Sequence, residues 1–408
     1  MTPPALDRTP PAFNPLDPAF IADPYPFYHR LRETAPVFKT PLGFWLLTRY
    51  EDIALALRDR RFGKDFVGNI SRRYGEDRMN EPAVANLGHT MLVLDPPDHT
   101  RLRSLVIKAF TARRVADMRP RIKALVDQQL DRVQDKGAMD VMRDLAHRLP
   151  VIVICDMLGI PEAHRAPFLA GSNVNGRILE PVPMTRQELD RANATTMGAN
   201  AYFDQLCELR RREPKDDLTT ELVKAEEAGD RLTTEELRAN IGLLFGAGHE
   251  TTTNLIGNGL LALHRQPDQW ERLKADPSLI ANSIEELLRF DSSVQLTGRV
   301  TNADVDIGGT TIPAGESVIM LLGAANRDPA QYADPDRLDV GRQNVRPMSF
   351  GGGIHHCLGA QLARLEGELV FAALAERMPT LELPEKDKPE WKRSFTLRGL
   401  SKLPAIWH

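Results

Sequence analysis

Phe350-Gly351-Gly352-Gly353-Ile354-His355-His356-Cys357-Leu358-Gly359 runs into an apolar-periodic stretch from Leu362 that has the spacing of a helix. A lone cysteine therefore stands where a glycine-rich loop meets a helix N-terminus. Unpaired backbone N–H groups and the helix dipole favour a thiolate there, and a soft anionic sulfur held in a fixed loop suits a metal. A phosphate cradle would need Lys followed by Ser or Thr after the glycines, or a dinucleotide fingerprint, and the loop has neither. Zinc held by His355, His356 and Cys357 is chemically conceivable, but consecutive residues wrap a tetrahedral ion poorly and no Cys or His pair stands at finger spacing. A turn around a buried structural cysteine is the plainest alternative.

The loop resembles the haem-ligand signature of the cytochrome P-450 family, with Phe350, Gly351, Gly353, His355, Cys357 and Gly359 on family positions. The resemblance implies a mainly α fold with small β-sheets, haem lying between a long central helix and the cysteine loop and helix. Cys357 would be the axial ligand of the haem iron. The likeness covers nearly the whole chain, residues 1–408 as one domain, with β-rich regions near 37–50, 294–320 and 385–408.

The chain has 408 residues, enough for a large core, and a net charge of −4, which gives no electrostatic footprint for nucleic acid. Its three cysteines, Cys155, Cys207 and Cys357, are too few and scattered for a disulfide framework or an iron–sulfur cluster. Cys155 sits in the apolar run 151–157 and reads as inert core. The proline-rich stretch 1–20, broken by Asp7, Arg8 and Asp17, offers neither a signal-peptide core nor a membrane span. The expectation is a soluble, cytoplasmic, monomeric protein, similar to the soluble bacterial branch of the family.

Periodicity predicts helices over 26–35 and 51–58 around strand-like alternation at 37–48. The stretch 62–98 lacks a sustained period and reads as a mobile lid, the place where the family covers its substrate. Helical periods then dominate 99–170 and 187–212, interrupted by a proline-broken access loop at 171–186. Thr233 and Glu236 have capping-box spacing and open the longest helix, which Pro267 stops. Helices at 268–274 and 277–290, short strands beyond Val294 with turns at Gly308-Gly309 and Pro313-Ala314-Gly315, a helix to Arg377 and a strand-like tail complete the chain.

In the middle of the longest helix stands Gly246-Ala247-Gly248-His249-Glu250-Thr251-Thr252. Two glycines inside a buried helix weaken it by about a kcal/mol each relative to Ala, a cost that tight helix packing or a large flat neighbour would explain. Thr251 can bond back to the carbonyl of Ala247, leaving a polar groove for dioxygen and water. The stretch resembles the family's oxygen-activating pattern, which implies that Thr251 orients protons and Glu250 relays them. His249 and Glu250 also begin a zincin pattern, but Thr253 stands where that motif needs His.

Further family positions imply haem-propionate partners at His99, Arg103, Arg299 and His355. Glu286 and Arg289 are three apart on a helix, and the resemblance adds Arg337 to them in a buried structural cluster beneath the cysteine loop. It also implies a substrate pocket of Val93, Leu94, Leu243, Ala247, Val294, Leu296, Thr297, Thr396 and Leu397, mainly apolar or small. The implied reaction is mono-oxygenation of an apolar small molecule by dioxygen, hydroxylation or epoxidation, on haem b. No internal flavin, nicotinamide or iron–sulfur motif occurs, so electrons would come from a ferredoxin or flavodoxin with its reductase. Lys108, Arg113, Arg114 and Arg364 are candidates for a basic docking patch. A thiolate-haem peroxygenase, a nitric oxide reductase and a haem sensor stay open as alternatives.

Overall fold

The computed structural model describes residues 9–170, 175–227 and 232–408, so part of the expected access loop, 171–174, lies outside the described residues. Helices dominate, and the longest of them, Thr234–Arg265, crosses the interior. Thr233 accepts from the backbone of Glu236 while Glu236 reaches back to the Thr233 N–H, so the capping box fixes the start as its spacing predicts. Nearly every residue from Thr252 to His264 is buried, which places this half of the helix inside the main core. Arg148–Leu158 and the cysteine helix Ala360–Arg377 both pack on it. At one such contact a Cβ on Gly367 would meet Leu255 and Ile284 at 3.2–3.4 Å, so glycine there permits the close approach of neighbouring helices.

A five-stranded sheet lies outside the main helical core and packs on the helices Tyr25–Thr34 and Tyr50–Ala56. Its order is Val37–Lys39, Trp45–Leu47, Ser317–Leu321, Leu296–Thr301, Phe62–Gly63, antiparallel except where Trp45–Leu47 runs parallel to Ser317–Leu321. The alternation at 37–48 is thus a hairpin rather than one strand, turned at residues 40–43 with Gly43 at positive φ. Three two-stranded ribbons pair Val305–Ile307 with Thr310–Ile312, Glu390–Trp391 with Leu400–Lys402, and Ala138–Asp140 with Pro404–Ile406. The strand Ala138–Asp140 breaks the helical run expected over 99–170, and a π-helical turn, Met142–Ala146, follows it.

The largest departure from expectation is the lid. Residues 62–98 hold the helices Phe66–Tyr74 and Pro82–Gly88 and a 3-10 turn, Glu76–Asn80. Ile70, Ala83 and Val84 are buried against Ile178, Met184, Leu189 and Ala192, so short amphipathic helices cover the access segment and the start of Arg186–Arg212. At nine and seven residues each helix is too short to sustain the period over the window that identifies a helix in sequence, and its apolar face is defined by what it meets.

Candidate active site

Cys357 is exposed and sits three residues before the helix Ala360–Arg377, after a loop made rigid by its own backbone. Its N–H donates to the Phe350 carbonyl at 2.9 Å, and His356 N–H to that of Gly353 at 3.2 Å. Gly353 has φ +63°, and a Cβ there would lie 2.0 Å from the Leu57 carbonyl oxygen, so the loop passes the helix Tyr50–Ala56 only as glycine. Although Cys357 keeps an accessible face, the protein packed around it pushes its thiol above the ordinary range, while the Gly359 N–H, Arg103 and Arg364 pull the other way. The Gly359 N–H at the helix N-terminus and the two guanidiniums thus favour the thiolate against the cost of burial. A bound metal cation is the kind of charge that would supply the remainder.

Along the central helix, burial lapses where the sequence is small. Ala247 is exposed although it lies mid-helix, and a Cβ on Gly246 would meet no atom within 4 Å. Open space rather than tight packing accounts for that glycine, whereas Gly248 does press on Ile154. Thr251 donates its hydroxyl to the Ala247 carbonyl at 3.1 Å and Thr253 to that of His249 at 2.8 Å. Glu250 is buried, 7 % exposed, and its Oε1 lies 3.6 Å from Lys392 Nζ, which also donates to Asn254 Oδ1 at 3.1 Å. Burial raises the Glu250 carboxyl above its usual value, and Lys392 opposes the rise. The ring of His249 is turned to the Phe245 carbonyl, 2.7 Å from Nδ1, and burial lowers it to about 4, so it stays neutral.

A cluster of cationic and imidazole groups forms a third element of the site. The rings of His99 and His355 lie 4.2 Å apart, and both nitrogens of His99 and Nε2 of His355 are buried without a hydrogen-bond partner. Arg103 donates to the His356 carbonyl at 2.6 Å. Arg299, 5 % exposed, is held by Thr297 Oγ1 and the Gly298 carbonyl, and burial lowers it to about 10. Lys64, which sequence reasoning missed, donates to the same Gly298 carbonyl at 3.2 Å, and burial and Arg299 drive its ammonium down. His355 is lowered to about 2 by burial and then by Lys64, Arg299, His99 and Arg103. Asp95 faces this group, but its oxygens accept the backbone N–H groups of Lys64 and Asp65. So many donors and positive charges with orphaned nitrogens fit an anionic ligand bearing carboxylates.

The buried ion cluster differs from expectation in one member. Glu286 and Arg289 are both fully buried and doubly bonded, at 2.7 and 2.8 Å. The second guanidinium is that of Arg342, 3.2 Å from Glu286 Oε1. Arg337 is exposed and contributes only its backbone carbonyl, to both Arg289 and Arg342. The resemblance put Arg337 in this place, and only the fold of 334–342 decides that the Arg342 side chain is the one that turns inward.

Of the expected pocket residues, Val294 bridges Leu397 and the Thr396 hydroxyl reaches the Leu179 carbonyl at 3.4 Å. Leu94 and Leu243 pack on the main core, Val93 is half-buried in a turn, and Leu296 and Thr297 lie in the sheet beside Arg299. Among the described residues no group of three His, Cys, Asp or Glu side chains gathers as a metal site.

Residues 176–404 match the family model for cytochrome P450. The chain belongs to the cytochrome P450 family. It is 44% identical to the vitamin D(3) 25-hydroxylase of Pseudonocardia autotrophica, covering 95% of this chain and 94% of that one. It is 43% identical to cytochrome P450 107B1 of Saccharopolyspora erythraea, covering 96% of each. Among solved structures, P450BioI in complex with hexadec-9Z-enoic acid ligated acyl carrier protein is similar, with TM-score 0.89, 37% identity, and 95% and 99% of the two chains covered. This P450 is thus a haem-thiolate monooxygenase, an oxidoreductase that incorporates oxygen into a small-molecule substrate and draws on redox partners. No helix among its described residues is long and apolar enough to cross a membrane.

Proposed function

We propose that this P450 uses haem b, with Cys357 as the axial thiolate and Lys64, His99, Arg103, Arg299 and His355 holding the propionates. When bound, haem held by Cys357 would supply the activation of oxygen. The observation that carries the reading is the pairing of an exposed Cys357 in its glycine-built loop with the buried, unbonded ring nitrogens of His99 and His355 among the cations Lys64, Arg103 and Arg299. Thr251 presents a hydroxyl in the open stretch of the central helix, and Glu250 behind it holds a proton more readily than an ordinary carboxyl. Their role is to hand protons to the oxygen site while limiting free entry of water.

The substrate is an apolar small molecule, hydroxylated or epoxidised in a pocket that includes Val294, Thr396 and Leu397. Relatives named for vitamin D(3), 6-deoxyerythronolide B and polyketide biosynthesis support a lipophilic ligand larger than a simple aromatic. Electrons come from a ferredoxin or flavodoxin with its reductase. The test is direct: purify the protein, reduce it and add carbon monoxide. The carbonyl band typical of thiolate-ligated haem is expected for the wild type and its loss for Cys357→Ala; a wild type without that band, once reconstituted with haem, ends the reading. Substrate-induced spectral shifts across a lipophilic library then identify the ligand.

A further inference from the structure

One carboxylate joins the access segment to the turn that carries the C-terminal pocket residues. Glu180 is 6 % exposed. Its Oε1 accepts the Ser394 hydroxyl at 2.5 Å and the N–H groups of Phe395 and Thr396 at 3.2 and 3.1 Å, and Oε2 shares the Phe395 N–H at 3.2 Å. The Thr396 hydroxyl donates in the opposite direction, to the Leu179 carbonyl. An anion accepting from successive backbone amides makes charge-assisted bonds, and its burial depends on them. The far side of the turn is held separately, by Gln295 N–H to the Thr396 carbonyl at 2.9 Å and Arg398 N–H to the Ser293 carbonyl at 2.8 Å.

The access segment has its own brace. Arg177 donates to Glu188 and to the carbonyls of Val182 and Pro183, closing residues 177–188 on themselves. Below it there is no spare room, because a Cβ on Gly176 would sit 3.2 Å from Glu250 Oε2 and 3.3 Å from Leu397 Cδ1. The segment therefore rests directly on the buried carboxylate of the central helix and on a pocket side chain.

We propose that Glu180 is a positioning residue that fixes residues 175–180 and 394–397 as one roof over Glu250 and the adjoining pocket wall, so that a ligand passing beneath it must break these hydrogen bonds. The proposal rests on the reading of that space as the substrate site.

The experiment uses the full-length, haem-loaded protein and three variants, Glu180→Ala, Glu180→Gln and Ser394→Ala. Amide exchange is followed by mass spectrometry in the peptide spanning 393–398, and release of the haem-ligating probe 4-phenylimidazole by stopped flow. Glu180→Ala should speed exchange in that peptide at least about tenfold, since its amides lose a charged acceptor. Probe release should rise several-fold, with the thermal midpoint and the carbonyl band near wild type. Glu180→Gln, whose amide oxygen still accepts an N–H, should recover part of the protection, and Ser394→Ala should fall between. If Glu180→Ala does not accumulate in folded form, Ser394→Ala carries the same comparison with one donor removed. Wild-type exchange in that peptide, wild-type probe release, or acceleration spread evenly over the chain would each overturn the proposal. Failure of the haem reading shows separately, as a missing carbonyl band in the wild type, and leaves the exchange comparison intact.

Discussion

Glu286 has no access to solvent and meets four donors: two nitrogens of Arg289, Nε of Arg342, and the N–H of Asp339 at 2.9 Å. Removing such an acceptor strands a buried guanidinium, which costs about 3–5 kcal/mol. Glu286→Ala should therefore lower unfolding free energy in urea by about that amount and reduce haem content, whereas exposed Arg337→Ala should stay within about 0.5 kcal/mol of wild type. Equal losses in the two variants would restore Arg337 to the cluster. The hydroxyl of Thr251 is tied back to its own helix at the Ala247 carbonyl. Thr251→Ala should leave reductant consumption running while product per reductant falls by about tenfold, and Thr251→Ser should recover most of it. Unchanged product yield in the alanine variant would remove Thr251 from the proton path. The Glu286–Arg289 pair was legible in sequence because its spacing is that of one helical turn. Arg342, Lys64, Lys392 and Glu180 were not, because each finds its partner across more than fifty residues or through a loop whose course no local pattern encodes.

At the level of elements, the cysteine helix Ala360–Arg377 carries an unusual member. Glu366 is fully buried on it, and neither carboxylate oxygen has a hydrogen-bond partner. Burial raises its pKa well above the ordinary value, so the folded protein holds the proton more tightly than the unfolded chain does. The sign follows from linkage. The contribution of Glu366 to stability is complete below the unfolded carboxyl's pKa of about 4.3 and is lost as pH rises toward the folded value, by up to about 1.4 kcal/mol per pH unit. Glu366→Gln is neutral at every pH, so its unfolding free energy relative to wild type should climb in denaturant titrations as pH rises above the unfolded carboxyl's pKa and level off only at the raised folded value. Parallel pH profiles would mean that the carboxyl has a partner when folded. Elements with local start signals, such as the capping box at Thr233 and Glu236, are legible before folding. The short helices of 66–88 and the π-helical turn Met142–Ala146 are not, since packing and not propensity selects them.

For the molecule as a whole, net charge hides what the face around the cysteine presents. Four cations expected to form a docking patch divide on inspection of their partners. Arg114 is paired with Asp216, and Arg364 is bonded to Glu285 while stacking 4.5 Å over the Phe350 ring, so it braces the cysteine loop. Arg113, 92 % exposed, has Asp117 at a loose 3.9 Å, and Lys108 is exposed at the end of the helix Asp98–Ala109 that also carries His99 and Arg103. These two are the cations free to meet an acidic electron donor without disturbing the haem pocket. Steering by exposed charges acts on association and is screened within about 8–10 Å at ordinary ionic strength. The double reversal Lys108→Glu with Arg113→Glu should therefore slow reduction by an acidic ferredoxin several-fold at low salt, with the carbonyl spectrum unchanged. The gap should close as salt is added, because wild type loses its advantage while the variant loses its repulsion. Arg364→Glu should instead alter the spectrum at every salt concentration, since Glu285 and Phe350 both lose their partner. Stopped-flow reduction against ionic strength separates the two behaviours, and identical salt slopes for wild type and the double variant would place the donor on another face of the protein.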